Sequence, residues 1–470
     1  MGQDVSGTHF KSEEFRHFQH ALREETSLLE EWISDRQLSD AGYVAGLELE
    51  MCLVDDSGNP AACNQSLLDA LHSPIIVPEL SKFNVEFNVD PISPRSDGLQ
   101  TLTKRLVDTW SICSESARAL GLSVVSIGIL PTLRDEHLVL GNMSELHRYQ
   151  ALNEQVLRLR RGKPVRLDIS GVETLVSEHL DVMLEAGATS LQLHLQVPQD
   201  QAAHAYNLAT VVSAPMVAIG ANSPLLFGKR LWQETRIPLF EQAVAMEEPV
   251  NRVNFGTGYA SRNLLALFLE NESLYPVLLP IVCGYRVEKL EHLRLHNGTI
   301  WRWNRPIIGF DPHGRPHIRI EHRVMAAGAT AIDMAAQMAF YYGLMINLLN
   351  KPGLDVRAKL PFITAWNNFY ESARYGLKAQ VIWLDGKKWP LDKLIIQELI
   401  PAARDGLGFL HVDTTSIDHW LQIIESRAET GQTGAQWQAE FFRRTSDVAL
   451  LVREYRARQQ TGEPVHQWSY

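Results

Sequence analysis

Four short segments of this chain carry polar residues at every second position, with mostly apolar residues between them. They are Gly46-Leu47-Glu48-Leu49-Glu50, Phe83-Asn84-Val85-Glu86-Phe87-Asn88-Val89-Asp90, Leu191-Gln192-Leu193-His194-Leu195-Gln196-Val197 and Arg319-Ile320-Glu321-His322-Arg323. A helix scatters a period-two pattern around its circumference, whereas in a strand residues two apart point to one side. Glu48 and Glu50 therefore share a face, as do Glu86 with Asn88, Gln192 with His194 and Gln196, and Arg319 with Glu321 and Arg323. The Leu, Val, Ile and Phe residues between them would turn to a core.

A half-solvated antiparallel strand alternates in the same way without any site on it. Two details argue for more. The polar positions hold Glu, Gln, Asn, His and Arg and no Thr, which solvent faces of strands often use. A Glu-x-Glu pair also sets two like charges on one face, a repulsion that a cation or water must relieve. Side by side, these strands would form a concave sheet lined by carboxylates, a histidine and arginines. Such a surface suits divalent metal and nucleotide phosphate.

Composition sets wider bounds. The 470 residues, 45% apolar and 21% charged, are ordinary for a globular chain. A net charge of −11 argues against wrapping nucleic acid, and an anionic nucleotide would need local arginine or metal. Cys52, Cys63, Cys113 and Cys283 form no C-x-x-C pair and no disulfide framework, which suggests a reduced, cytoplasmic protein. The start, Met1 to Phe10, lacks the apolar run of a signal peptide. The most membrane-like stretch, Ala326–Leu349, is interrupted by Asp333, Gln337 and Asn347 and reads as a buried helix, so no membrane partner is expected. The sequence leaves room for a homo-oligomer.

Helices are expected over Glu13–Ile33, Leu99–Leu120, Gly171–Glu185 and Ala203–Ile219, and strands over 43–54, 83–90, Ser123–Leu130, Trp301–Trp303 and His317–Arg323. After Lys351-Pro352-Gly353 the chain reads as mainly helical. The expected organisation is an N-terminal helix (1–40), a catalytic antiparallel-sheet core with helices (41–350) and a helical C-terminal part packed on the same domain (351–470). No repeat is visible. Mixed elements of this kind argue for α+β over a doubly wound sheet.

The usual nucleotide motifs are missing. Gly220 to Lys229 has the wrong spacing for a P-loop, Gly256-Thr257-Gly258 is a lone Gly-x-Gly, and there is no His-Glu-x-x-His or Gly-x-Ser-x-Gly. Any nucleotide site must be built from the sheet face. In that setting Glu48-x-Glu50, Glu86 within Asn84–Asn88, Arg148-Tyr149, Ala221-Asn222-Ser223-Pro224, Thr299–Pro306 with Arg305, and Glu321-x-Arg323 occur in an order and spacing that resembles the glutamate–cysteine ligase family. These are carboxylate–amine ligases of the glutamine-synthetase-like superfamily. Ala373–Leu377 and Thr433–Gln436 resemble its C-terminal segments, so the likeness covers roughly residues 42–444. Two departures stand out. Gln192-x-His194 replaces a His-x-His, and Pro249–Tyr259 lacks the Arg-Thr-Gly type of loop near the substrate.

The resemblance implies a curved antiparallel sheet forming a funnel flanked by helices. It implies Mg²⁺ (or Mn²⁺), with ATP as co-substrate, and an amide, γ-glutamyl in type, made through an acyl phosphate. Glu48, Glu50, Glu86, Glu321 and His194 would hold metal, and Arg323 would face the transferred phosphoryl group. Arg305 would clamp an acceptor carboxylate or phosphate, while Gln192, Arg319, Asn222 and Arg236 would contact substrate or ATP. Simpler roles compete at single positions: His194 as a core histidine, Asn222 as a turn residue before Pro224, and Trp301 and Trp303 as packing. Two other functions stay open. One is a phosphotransferase of the guanidino-kinase type, and the other a noncatalytic protein that binds ATP or an amino acid.

Overall fold

A computed structural model of the chain describes residue 7 and residues 9–246, 251–281 and 286–470. Cys283 and the start of the Pro249–Tyr259 loop lie outside the described residues, as does most of Met1–Phe10.

The alternating segments are strands of one seven-stranded antiparallel sheet. In chain order its strands are β1 (Val44–Val54), β2 (Ile76–Pro78), β3 (Asn84–Ile92), β4 (Ser123–Val125), β5 (Ser190–Gln196), β6 (Asn304–Phe310) and β7 (Pro316–Ala326). Their spatial order is β6-β7-β5-β1-β3-β2, with β4 added to the end of β1. Register does what the period predicts. Glu50 lies opposite Glu86 across β1–β3, and Glu48 lies between Asn88 and Gln192. His194 pairs with Glu321 across β5–β7, and Glu321 with Arg305 across β7–β6. Directly opposed residues of an antiparallel pair project to the same side, so all of these share one face.

Leu47, Leu49, Leu191, Leu193, Leu195 and Ile320 fill the other face and are fully buried. Each contributes roughly 1.5–3 kcal/mol of hydrophobic free energy, enough to fix the register against a one-residue slip. Two apolar helices, Ala202–Ile219 and Ala331–Leu349, cover this face. The Tyr342 hydroxyl lies 2.8 Å from the Gly46 carbonyl and 2.9 Å from that of His194. It thereby clips the second helix under β1 and β5. The His322 ring stacks on Tyr341 at 4.5 Å, and its Nδ1 is 2.7 Å from Asn304 Oδ1. Burial lowers its pKa to about 3, so it is a neutral core histidine.

Among the described residues, the one helix long and apolar enough to cross a bilayer is Gln199–Ile219 rather than Ala326–Leu349, and 94% of its most apolar window is buried inside the protein. Thr330 caps Ala331–Leu349, its hydroxyl accepting from the Asp333 N–H at 3.2 Å. The C-terminal helices close over this layer, and Arg427 forms a buried ion pair with Asp333. The apolar core runs without a break from Phe18 to Trp468.

Two expected elements are corrected. Gly171–Glu185 is not a helix. Strands Val165–Ser170 and Thr174–His179 form a hairpin there, followed by a short 3₁₀ turn, Met183–Gly187. Val165, Leu167 and Ile169 are buried while Arg166, Asp168 and Ser170 are exposed, a period of two. Ser123–Leu130 is a strand only through Val125. Beyond it Ile127, Ile129 and Leu130 stay buried in irregular backbone, so a continuous apolar run overstated the ladder.

Candidate active site

On the polar face a chain of hydrogen bonds crosses four strands. The Ser190 N–H donates to Glu50 Oε2 at 2.7 Å, and Gln192 Nε2 donates to Glu50 Oε1 at 2.9 Å. Gln192 Oε1 accepts from Arg323 Nη1 at 2.5 Å, and the same nitrogen reaches Glu321 Oε2 at 3.1 Å. Arg305 then grips Glu321 with two parallel bonds of 2.8 and 2.9 Å. Arg323 lies at a bulge: between His322 and Met325, β7 carries one residue more than β5.

Two groups of potential metal ligands result. In each, one ligand atom per residue lies within 4.8 Å of the others: Glu50 with Glu79 and Glu86, and Glu48 with His194 and Glu321. The first group fits a hard divalent cation. Burial and the neighbouring Glu79 raise the Glu50 carboxyl to about 7. Burial and the charges of Glu48 and Glu79 push Glu86 well above the carboxylate range. Glu86 Oε1 accepts from Asn88, but its buried Oε2 has no hydrogen-bond partner. Crowded, buried and part-unsatisfied carboxylates are what a cation stabilises.

The second group is closed by arginines. Burial alone would raise Glu321, but Arg305 and Arg323 overcome it and hold the carboxyl far below its usual range. Burial also opposes the Glu48 anion, and His194 outweighs it, lowering the pKa. His194 Nδ1 accepts from Arg319 Nε at 3.1 Å, while Nε2 stands 3.4 Å from Glu48 Oε1. A cation here would have to draw the arginines off these three ligands.

Glu48, Glu50, Glu86, Gln192, His194, Arg305, Arg319, Glu321 and Arg323 therefore meet on one surface. Arg236 approaches from below. It is buried beside Glu234 at 3.3 Å, lies over the Trp303 ring and donates to the Arg323 and Val324 carbonyls. It braces the bulge and lines the same cavity as Glu50 and Arg323. Asn222 is not brought to this surface. Its Nδ2 donates to the Ala327 carbonyl and the Tyr455 hydroxyl, and its oxygens accept from Gln438. With every polar group used inside the protein, it ties the sheet to the C-terminal helices. Trp301 and Trp303 pack on Phe240, as expected.

Two acidic residues went unseen in the sequence. Glu79 follows β2 outside any alternating stretch and reaches Glu86 only because β2 pairs with β3. Glu185 lies on the 3₁₀ turn that was read as helix. The only hint was the spacing of Glu79 and Glu86 around the polar Ser81-Lys82 turn. The Arg148-Tyr149 pair packs beside them: Arg148 donates to the Tyr149 hydroxyl at 2.7 Å, and burial together with Glu79 raises the phenol well above its usual pKa.

The model of the glutamate-cysteine ligase family 2 matches residues 44–463. Among solved structures, the chain resembles a glutamate–cysteine ligase from Francisella tularensis in complex with AMP. The TM-score is 0.54 at 12% identity, covering 92% of this chain and 90% of that one. A bifunctional glutathione synthetase from Pasteurella multocida is similar with a TM-score of 0.52 at 9% identity, over 93% of this chain and 55% of that one. The chain thus spans about half of the bifunctional protein. At such identities the likeness is one of fold. No match was found among curated proteins.

Proposed function

The chain belongs to the glutamate-cysteine ligase family 2, and on that premise we propose that it is an ATP- and Mg²⁺-dependent carboxylate–amine ligase. The bond would be an amide of γ-glutamyl type, made through an acyl phosphate. The observation that supports this reading most is the interleaving of two carboxylate groups with Arg305, Arg319 and Arg323 on one sheet face. The AMP bound to the Francisella tularensis ligase supports a nucleotide here.

A carboxylate is a poor electrophile. Phosphorylation by ATP turns one of its oxygens into a leaving group, and an amine can then displace phosphate. Glu50, Glu79 and Glu86 would hold one Mg²⁺ or Mn²⁺, and Glu48, His194 and Glu321 a second. Bound there, the ions would neutralise phosphate charge. Arg323, held by Gln192 and Glu321, presents a preorganised cation to the charge that develops on the phosphoryl group. Arg305 offers a planar fork that can exchange Glu321 for a phosphate or a substrate carboxylate. Gln192 keeps Glu50 and Arg323 in register. The reduced thiols, Cys52, Cys63 and Cys113, suit a cytoplasmic setting.

The test is ADP release with Mg²⁺–ATP, L-glutamate and a panel of amines including L-cysteine. Release that needs acid, amine and metal together is expected. Full turnover in excess EDTA would overturn the metal assignment. A phosphorylated product that accumulates with no amine present would favour a phosphotransferase.

A further inference from the structure

Behind the phosphate-facing surface a small cavity opens, lined by Glu50, Glu79, Ser190, Arg236, Arg323 and Glu185. Glu185 belongs to neither metal group. Its Oε2 is buried and has no hydrogen-bond partner. The 3₁₀ turn that carries it is fixed at both ends: its backbone N–H donates to the Val182 carbonyl, and its carbonyl accepts from the Ala188 N–H, both at 3.0 Å. The small residues Ala186, Gly187 and Ala188 follow it, so the cavity stays open beside the carboxyl.

Resting on the ligase reading, we propose that Glu185 receives the ammonium group of the acceptor amine and aims its nitrogen at the carboxyl activated beside Arg323. Leaving the buried Glu185 Oε2 without a partner costs free energy that an incoming cation returns, and the reaction brings one such cation. The step balances. The nitrogen lone pair forms the C–N bond, and the acyl C–O bond to phosphate breaks with its electron pair. Of the two protons the nitrogen loses, one passes to Glu185 and one leaves with phosphate. Arg323 holds the phosphate side of the cavity and Glu185 the amine side. The residue thus selects protonated amines over neutral nucleophiles.

Hydroxylamine separates this role from a structural one, because it attacks acyl phosphates as a neutral nucleophile. Wild-type protein and E185Q are assayed with Mg²⁺–ATP and L-glutamate, using either the best amine of the panel or hydroxylamine. In E185Q the ratio of amine to hydroxylamine kcat/KM should fall by about tenfold or more, with the Mg²⁺ requirement unchanged. E185D, which keeps the charge on a shorter arm, should lie between the two; it decides the matter should E185Q fail to fold. An unchanged ratio in a folded E185Q, or in E185D, overturns the role. A raised Mg²⁺ requirement makes Glu185 a metal ligand instead. If wild-type protein forms no hydroxamate from any acid, the acyl-phosphate reading itself has failed, a result distinct from loss of the Glu185 role.

Discussion

Arg305 on β6 and Glu321 on β7 face each other across the sheet and share two parallel hydrogen bonds of 2.8 and 2.9 Å. A carboxylate held this way is neutralised before any cation arrives, so metal and guanidinium compete for it. Removing Arg305 should therefore ease metal binding. Arg305→Gln is expected to lower the half-saturating Mg²⁺ concentration for ADP release by about threefold or more, and Glu321→Gln to raise it. Titrations of both variants in Mg²⁺ at saturating ATP check the pair. Movement in the same direction would remove Glu321 from the ligand set.

Arg323 should act on charge that builds during phosphate transfer. Arg323→Lys keeps the charge but loses the planar guanidinium whose Nη1 bonds both Gln192 and Glu321. The loss is expected mainly in kcat, on the order of 10²-fold, with the KM for ATP nearly unchanged. Wild-type kcat in a folded variant would pass the role to Arg305 or Arg319.

Glu50 and Glu86 make the metal-free protein sensitive to pH. Both carboxyls are raised by burial and by their neighbours, Glu50 to about 7. In the folded state they keep protons that the unfolded chain has already released. Their stabilising effect is thus complete below the ordinary carboxylate pKa and is lost as pH rises towards 7. In EDTA, the unfolding free energy should fall between pH 5 and 8 by on the order of 1–3 kcal/mol for Glu50, and the melting temperature should fall with it. Glu50→Gln should flatten this slope and abolish turnover. Mg²⁺ should stabilise the wild type more at pH 8 than at pH 6, because the ligands must first lose their protons. Thermal melts with and without Mg²⁺ decide it; an equal slope in Glu50→Gln would show that Glu50 does not titrate in this window.

Asn222 offers the converse case, a polar residue whose work is structural. Asn222→Ala removes the side-chain donor to the Ala327 carbonyl and one of the two partners each of the Tyr455 hydroxyl and Gln438 Nε2, and should cost about 2–4 kcal/mol. The KM values for ATP and acid should stay within about twofold of wild type below the melting temperature. Gly434→Ala should imitate it, since an added Cβ would stand 2.0 Å from Asn222 Oδ1. A selective rise in one substrate's KM would return Asn222 to the binding site.

The polar face was legible in the sequence because the period of a strand is two. Once Glu48, Glu50, Glu86, His194 and Glu321 alternate with fully buried Leu, Val, Phe and Ile, their common side follows without coordinates. The family likeness, resting on the order of short motifs, was legible for a similar reason. Tertiary pairing decided the rest. The order β6-β7-β5-β1-β3-β2 sets which carboxylates meet, and so divides five expected ligands into two groups. Glu79 joins one of them through the β2–β3 ladder, a contact that no periodicity encodes. The bulge after His322 interrupts the β5–β7 ladder at Arg323 and Val324, and a bulge depends on the partner strand as much as on its own residues. Glu185 stayed hidden because Gly171–Glu185 suits a helix in isolation, whereas buried Val165, Leu167 and Ile169 require a hairpin. The surroundings of Asn222 depend on the same kind of contact. Near Pro224 it looks like a loop residue, and only the returning C-terminal helices, with Gln438 and Tyr455, bury it. Local pattern fixes which way a side chain points, and long-range packing fixes what it meets.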